Sequence, residues 1–168
     1  MQKTLIIFKP DAVARGIVGE LITRFERAGF KIIGTKMLQP TEEQFFEHYE
    51  GIGTLKTRKG EEIFNSQLAT MLDGPVIAMV LEGVEAVESV RKMVGETEPK
   101  AALPGTIRGD YAHVTYGQAS SVGRGVANII HASADADEAN KEIAHWFAKS
   151  ELYDYSVVHE KFTQPQKK

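Results

Sequence analysis

One histidine of the chain lies in a setting that suits nucleophilic chemistry. His131 is part of the segment Asn-Ile-Ile-His-Ala-Ser, and its small neighbours Ala132 and Ser133 leave the ring approachable. The segment precedes a predicted helix, whose first backbone N–H groups favour a nearby anion. Glu142 lies further along that helix, where its carboxylate could fold back to orient the imidazole. Because carboxylate-oriented imidazoles serve as nucleophiles or bases, His131 is the first candidate for catalysis.

The other four histidines lack such a setting. His48 and His145 lie on predicted helices. His113 lies in a weak predicted strand, and His159 lies near the C-terminus. None has a partner at the spacing typical of metal ligands. We therefore expect packing or surface roles for them, and no metal held by protein ligands.

A second group of residues suits the binding of phosphate. The region 91–110 supplies two arginines, a lysine and a hydroxyl, at Arg91, Thr97, Lys100 and Arg108. Arginine keeps its charge and matches phosphate oxygens geometrically, although a solvated loop with ordinary surface charges would contain the same residues. Lys9 follows the first predicted strand, where a lysine can point into a cleft.

Several common phosphate-binding and hydrolytic motifs are absent from the sequence. It contains no G-x-x-x-x-G-K-[ST], no G-x-G-x-x-G after a strand, no G-x-S-x-G and no H-E-x-x-H. Any phosphate chemistry must therefore use side chains rather than a glycine-rich cradle.

The spacing of apolar residues predicts the elements that would position these side chains. Strands are predicted over 4–9, 30–38 and 75–81, with a weaker strand over 111–116. Helices are predicted over 17–28, 41–49, 61–72, 84–94 and 135–149. Loops are predicted over 51–60, 95–110 and 117–127, and a turn-like segment over 128–134. This order indicates an α+β sandwich, and the split βαββαβ arrangement with additions fits it.

Length and composition exclude several classes of protein. The 168 residues include no cysteine, 42% are hydrophobic, and the net charge is −3. These values exclude disulfide scaffolds, thiol catalysis and low-complexity chains, and they disfavour a dedicated nucleic-acid binder. We expect one domain over 1–162 and a flexible tail over 163–168. No segment resembles a signal peptide or membrane span, so a cytoplasmic location and no membrane partner are expected.

Four blocks of sequence, in order along the chain, resemble the nucleoside diphosphate kinase family. They are F-K-P-D-A-V with R-G-x-V-G-E, G-P-V-x-A-M-V-x-E-G, G-E-T-x-P with P-G-T-I-R-G-D, and N-I-I-H-A-S leading to E-I-A-x-W-F, at 8–20, 74–83, 95–110 and 128–147. The resemblance covers roughly residues 1–160 and implies a ferredoxin-like sandwich with a four-stranded antiparallel sheet covered by helices.

The resemblance also implies an activity. His131 would be the nucleophile that becomes phosphohistidine, and Ser133 and Glu142 would support it. A nucleoside triphosphate, mainly ATP, would donate its γ-phosphate to a nucleoside diphosphate by a ping-pong mechanism. The positions that match nucleotide contacts of the family are Lys9, Tyr49, Ile63, Arg91, Thr97, Arg108 and Asn128.

Among these, Lys9 and Asn128 would reach the sugar hydroxyls and a nearby phosphate. Arg91, Thr97 and Arg108 would hold the phosphates. The implied cofactor is Mg²⁺, held mostly by phosphates and water rather than by a protein cage. The expected partners are nucleoside di- and triphosphates and further copies of the chain, in a homo-oligomer with a hexamer favoured and a tetramer possible.

The sequence departs from the family pattern at four places. The family usually has H-G-S-D where this chain has His-Ala-Ser-Ala at 131–134, and Asp135 could replace the missing acid. Ile63, with Phe64 beside it, falls where the family stacks a Phe on the base. The chain is longer at 51–60 and at 112–127, and the second insertion could border the site or form a subunit contact.

Two other functions remain open from the sequence alone. A non-catalytic nucleotide-sensing module could use the same fold, with catalysis lost through Ala134 and the insertions. A nucleic-acid-binding domain of ferredoxin-like fold would need paired aromatics on the sheet and a basic face, and neither is evident.

Overall fold

The computed structural model describes residues 1–163 of the chain. Its four strands are β1 (Gln2–Phe8), β2 (Lys31–Leu38), β3 (Val76–Gly83) and β4 (Ile130–Ala132). Its α-helices are α1 (Pro10–Ala14), α2 (Val18–Arg27), α3 (Glu42–Phe46), α4 (Leu55–Lys59), α5 (Glu61–Leu72), α6 (Ala86–Val94), α7 (Ile107–Tyr111), α8 (Tyr116–Ser121) and α9 (Ala136–Trp146). A π-helical turn spans Glu47–Ile52, and 3₁₀ turns span Pro99–Ala101, Lys149–Glu151 and Val158–Phe162.

The strands form one antiparallel sheet in the order β2-β3-β1-β4. This confirms the predicted α+β fold with a four-stranded antiparallel sheet covered by helices. Ile7 of β1 pairs with Ala78 of β3 on one side and with His131 of β4 on the other. The candidate nucleophile His131 therefore lies on the edge strand β4, next to the inner strand β1.

Helices cover both faces of the sheet because successive residues of a strand point to opposite sides. Ile6 and Phe8 of β1 pack with the helices α2 and α6 in one buried cluster. Leu5 and Ile7 pack with α3, α5 and α9 in the other cluster, which contains Trp146. Since β1 is buried on both faces, the side chains at its end are held in fixed positions.

The weak strand predicted over 111–116 is wrong. α7 ends at Tyr111 and α8 begins at Tyr116. Two threonines cap these helices, since Thr106 Oγ1 accepts from the Gly109 N–H at 3.1 Å and Thr115 Oγ1 accepts from the Gln118 N–H at 3.0 Å. The weak alternation in this segment therefore reflects a link between two short helices.

The fourth strand lies instead in the segment 128–134, which was expected to be turn-like. Ile130 is completely buried, and the strand pairs with β1 over three residues. The predicted loops were also partly wrong. Residues 51–60 contain α4 and the end of the π-helical turn, 95–110 contain a 3₁₀ turn and most of α7, and 117–127 contain most of α8.

Two predicted helix starts are confirmed by their caps. Thr41 Oγ1 accepts from the Gln44 N–H at 3.1 Å, and Asp135 Oδ1 accepts from the Glu138 N–H at 2.8 Å. Apart from Thr163, the predicted tail lies outside the described residues. Within 1–163, no helix is both long and apolar enough to cross a bilayer.

Gly109 fixes the path of the segment that carries Arg108. A Cβ at this position would overlap the Leu103 carbonyl oxygen and lie 2.9 Å from Thr106 Oγ1. We predict that Gly109→Ala lowers the free energy of unfolding by roughly 1–3 kcal/mol, because backbone must shift to admit the methyl group. Urea denaturation measures this change.

The matched control is Gly117→Ala in α8, where a Cβ would meet only Thr115 Oγ1 at 3.8 Å. This variant should unfold within about 0.5 kcal/mol of the unchanged protein. Equal losses in the two variants would show that the close approach at Gly109 is not the cause.

Candidate active site

His131 lies in β4 with its side chain partly open to solvent, at 18% exposure. Its Nε2 atom lies 2.8 Å from Oε1 of Glu142, in the middle of α9. Strand β4 and helix α9 are joined by a tight connection over 133–135, which brings the two side chains together. The orientation of His131 by Glu142 that the sequence predicted is therefore present.

Ser133 completes this chain of hydrogen bonds. Its hydroxyl donates to Oε2 of Glu142 at 2.6 Å, and its oxygen accepts the Leu5 N–H at 3.2 Å. Ser133 and Glu142 are both buried, at 0% and 1% exposure. Burial opposes ionisation of Glu142, but the charge and hydrogen bond of His131 outweigh it, and the pKa of Glu142 falls to about 2.

The tautomer of His131 follows from this arrangement. An ionised carboxylate only accepts hydrogen bonds, so Nε2 of His131 carries the proton that Glu142 receives. In neutral imidazole, the other nitrogen then bears the lone pair. Nδ1 of His131 has no hydrogen-bond partner within 1–163, and it is the nitrogen available for nucleophilic attack.

The backbone next to His131 is strained. Ile129 has a φ of +74°, a conformation that is costly for a β-branched residue. Its N–H donates to Asp11 Oδ2 at 3.0 Å, and its carbonyl accepts from the Lys9 N–H at 2.9 Å. The start of α1 thus holds an unfavourable conformation two residues before the candidate nucleophile.

Arg108 lies buried below the same region, at 8% exposure. Its guanidinium donates to the carbonyls of Gly95 at 2.9 Å and Ile130 at 2.7 Å. Burial and the nearby charge of Arg91 lower the pKa of Arg108 to about 10. The group remains cationic at neutral pH, and it is fixed by backbone acceptors rather than by a carboxylate.

Lys9 adds a second buried cation, at 5% exposure. It is the N-cap of α1, where Pro10 ends the pairing of β1 and begins the helix. Burial, together with the charge of Arg108, lowers the pKa of the Lys9 amine to about 7, although Asp11 opposes this shift. The site therefore holds positive charge in excess of its buried acids, as an anion-binding site requires.

The other residues predicted to contact the nucleotide differ in how deeply they are buried. Asn128 is buried, and its side-chain amide donates to the Thr97 carbonyl at 2.8 Å. The oxygen of that amide has no partner among the described residues. Tyr49 lies with its ring 6.5 Å from the His131 ring, centroid to centroid. Arg91 is exposed on α6.

The position predicted to face the base lies on α5. Ile63 exposes 53% of its surface there. Phe64 is buried in the core beneath it. Of the two neighbouring residues, only Ile63 offers apolar surface outside the core.

His48 was expected to have only a packing or surface role, but it lies against the catalytic group. It is buried at 1% exposure, and its ring centroid is 4.5 Å from that of His131. The one feature of the sequence that could have indicated this contact is the position of His48 immediately before Tyr49. The other neighbours of His48 in the fold come from distant parts of the chain.

The connection between β4 and α9 is held by hydrogen bonds, although residues 132 and 134 depart from the family pattern. The Ala134 N–H donates to Glu138 Oε2 at 2.8 Å, and Asp135 caps α9. Asp135 and Glu138 thus fix this connection without an acid at 134.

The segment 112–127 is bonded to two other parts of the fold. The Gly125 N–H donates to Thr70 Oγ1 of α5 at 2.9 Å, and the Tyr116 N–H donates to Glu98 Oε1 at 2.9 Å. It therefore joins α5 to the loop that carries Thr97, and it leads into Asn128.

One group of side chains has the composition of a metal site. Ligand atoms of His48, His131 and Glu142 lie within 4.8 Å of one another. Mg²⁺ prefers oxygen ligands, and both oxygens of Glu142 are already bonded to His131 and Ser133. This group does not fit a protein cage for Mg²⁺.

The chain is similar to proteins of one family over most of its length. The model of the family described as nucleoside diphosphate kinase matches residues 2–152. A nucleoside diphosphate kinase of Borreliella burgdorferi is 43% identical over 155 residues, covering 92% of each chain. One of Pyrococcus furiosus is 42% identical over 167 residues, covering 99% of this chain and 96% of that protein.

Solved structures agree with this similarity. The enzyme of Borrelia burgdorferi, described as a transition-state mimic with bound vanadate and ADP, superposes with a TM-score of 0.91 at 42% identity and covers 95% of this chain and 94% of its own. A Halobacterium salinarum nucleoside diphosphate kinase in complex with CDP has a TM-score of 0.82 at 35% identity, covering 98% and 99%. With its fold, its oriented histidine and these relatives, this chain belongs to the nucleoside diphosphate kinase family.

Proposed function

We propose that this chain transfers the γ-phosphate of a nucleoside triphosphate, mainly ATP, to a nucleoside diphosphate through a phosphohistidine on His131. The observation that carries the proposal is the bond between His131 Nε2 and the buried Glu142 carboxylate. This bond leaves Nδ1 as the nucleophile. A covalent intermediate on the enzyme makes the kinetics ping-pong.

Each half-reaction is a single displacement at phosphorus. The Nδ1 lone pair forms a bond to the γ-phosphorus, and the bond from that phosphorus to the β–γ bridging oxygen breaks, so the nucleoside diphosphate leaves. The proton on Nε2 stays, and Glu142 balances the positive charge that develops on the ring. A terminal oxygen of a second nucleoside diphosphate then attacks the same phosphorus and releases Nδ1.

The cations and hydrogen-bond donors near His131 suit the charge of these phosphates. Phosphoryl transfer depends mainly on positioning and on neutralising charge. Arg108 and Arg91 would bind phosphate oxygens, and Thr97 would donate its hydroxyl. Lys9 and Asn128 would bind the sugar hydroxyls and a nearby phosphate. Binding through sugar and phosphate implies broad tolerance of the base.

Tyr49 and Ile63 would line the entrance to the site. Ile63 offers exposed apolar surface on α5, against which a base could pack. Nucleotide phosphates, rather than protein carboxylates, would hold Mg²⁺, which would neutralise part of their charge.

Two relatives support a nucleotide substrate. The Borrelia burgdorferi structure is described with vanadate and ADP, and the Halobacterium salinarum structure with CDP. The alternative of a non-catalytic sensing module is disfavoured, because the hydrogen bonds that Glu142 accepts from His131 and Ser133 are intact despite Ala134.

A homo-oligomer, with a hexamer favoured over a tetramer, is the assembly we propose. The resemblance to the family implies subunit contacts at the loop 95–110, and in this chain that loop exposes 71% of Leu103. The single domain over 1–162 and the cytoplasmic location stay predictions.

The first test is phosphorylation by γ-labelled ATP with Mg²⁺. We predict that the unchanged protein acquires label that is stable to alkali and lost in acid, and that His131→Ala acquires none and loses transfer activity while remaining folded. Gel autoradiography and a coupled assay of nucleoside triphosphate formation measure both effects.

The matched control is His113→Ala, since His113 is exposed in the link between α7 and α8. It should label and turn over like the unchanged protein. Appreciable transfer activity in His131→Ala would exclude His131 as the nucleophile, and an unlabelled but nucleotide-binding wild type would favour the sensing module.

We expect Lys9 to bind the nucleotide, and we expect its burial to lower the free energy of unfolding. Its pKa falls from 10.5 to about 7 in the folded protein, so the unfolded chain binds more protons between these values, and stability rises with pH there. We predict that Lys9→Met abolishes most transfer but raises the free energy of unfolding by roughly 1–4 kcal/mol below pH 7.

This gain should disappear as the pH approaches about 10.5, where both states hold a neutral amine. Lys3→Met is the control, because Lys3 is an exposed residue of the preceding strand β1. Urea unfolding at several pH values from about 6 to about 10.5, a range that spans the two pKa values of Lys9, measures the difference. A gain that is independent of pH would contradict the assigned burial cost.

A further inference from the structure

His48 has more contacts with the catalytic group than a packing residue requires. It lies in the π-helical turn, buried at 1% exposure. Its ring lies edge-to-face against His131, at 4.5 Å between centroids and 79° between planes. Its Nδ1 atom is 3.5 Å from Oε1 of Glu142, the same oxygen that His131 uses.

Trp146 determines which nitrogen of His48 carries a proton. The indole Nε1–H of Trp146 lies 3.2 Å from Nδ1 of His48. An indole N–H only donates, so Nδ1 of His48 must accept and cannot carry a proton. In the neutral ring the proton is on Nε2, which has no partner among the described residues.

The surroundings of His48 keep it neutral. Burial is the largest cause, and together with the charge of His131 it lowers the pKa of His48 to about 3, although Glu142 opposes this shift. His145 and Lys9 act in the same direction as His131. A neutral His48 with a proton on Nε2 presents a lone pair, not a donor, to the carboxylate.

The opposite tautomer would compete with His131. With a proton on Nδ1, His48 would donate across 3.5 Å to the Glu142 oxygen that holds His131 Nε2. His131 could then move its proton to Nδ1, and that tautomer has no lone pair at the position we assign to the nucleophile. Trp146 follows Glu142 by four residues on α9, so one helical face carries both groups.

We propose that His48 is a positioning residue whose tautomer, set by the Trp146 indole, reserves the Glu142 carboxylate for His131. The proposal rests on the proposed function, because it assigns a consequence for the phosphorylation of His131. It concerns the choice of tautomer and not the transfer step, in which His48 takes no direct part.

The direct test is the ¹⁵N NMR spectrum of the histidine rings in the intact, ligand-free protein at pH 7.5. Long-range ¹H–¹⁵N correlations distinguish the two neutral tautomers, and resonances are assigned with His131→Ala and His113→Ala. We expect His48 and His131 both protonated on Nε2. In Trp146→Phe, His48 should become protonated on Nδ1 and the His131 resonances should change toward the other tautomer.

The kinetic test uses the same variant. Trp146→Phe should reduce the rate of phosphoenzyme formation about tenfold, the rate equivalent of one lost hydrogen bond, with little change in nucleotide KM. The double variant Trp146→Phe/His48→Phe keeps an aromatic ring at both positions but removes the indole N–H and the imidazole N–H. Because residue 48 can then no longer donate to Glu142, most of the rate of phosphoenzyme formation should return. A role of His48 in packing alone predicts that the double variant is slower than Trp146→Phe, and that result would overturn the proposal.

The two proposals can fail separately. A wild-type protein that forms no phosphoenzyme would refute the proposed function, whereas the tautomers are recorded without turnover. A proton on Nδ1 of His48 in the wild type, or an unchanged His131 spectrum in Trp146→Phe, would refute the role of His48 even if the enzyme is active.

Discussion

A buried, ionised carboxylate is the group on which this site depends. Glu142 receives hydrogen bonds from His131 and Ser133, and Ser133 in turn accepts from the backbone of β1. A carboxylate without these partners would not stay ionised at 1% exposure. The hydrogen bonds therefore stabilise the charge, and the charge fixes the proton of His131 on Nε2. Helix α9 and strand β4 must meet closely for this to happen, and the caps at Asp135 and Glu138 hold the turn between them.

The remainder of the site is positively charged and poorly compensated. Lys9 and Arg108 are both buried, and burial lowers the pKa of each. The backbone carbonyls that bind Arg108 fix its direction without neutralising it. The charge of Arg108 lowers the pKa of Lys9, so the two groups repel each other when both are charged, and a bound polyphosphate would relieve that repulsion. The strained φ of Ile129 is a further local cost beside the nucleophile. The buried cations and the strained backbone thus lower the stability of the fold at the position where we expect an anion to bind.

Much of the scaffold was predictable from the sequence, because its elements have clear periodicity. The apolar runs of β1 and β3 and the amphipathic helices α2 and α6 were correctly predicted. The strand β4 was missed because three residues are too few to show alternation, and only pairing with β1 defines it. His131 and Glu142 were found because they are close along the chain. His48 was not, since its contacts with His131 and Trp146 join distant segments. Burial of Lys9 likewise depends on tertiary packing.

We expect Glu142 to direct the phosphate to Nδ1 of His131. The measurement that tests this is ³¹P–¹⁵N NMR of the phosphoenzyme, prepared from protein with ¹⁵N-labelled histidine and ATP with Mg²⁺, and separated from nucleotide. The spectrum should show one phosphohistidine whose phosphorus couples to Nδ1 of His131, while Nε2 retains its proton against the carboxylate. Phosphate on Nε2, or on any other residue, would refute this role of Glu142.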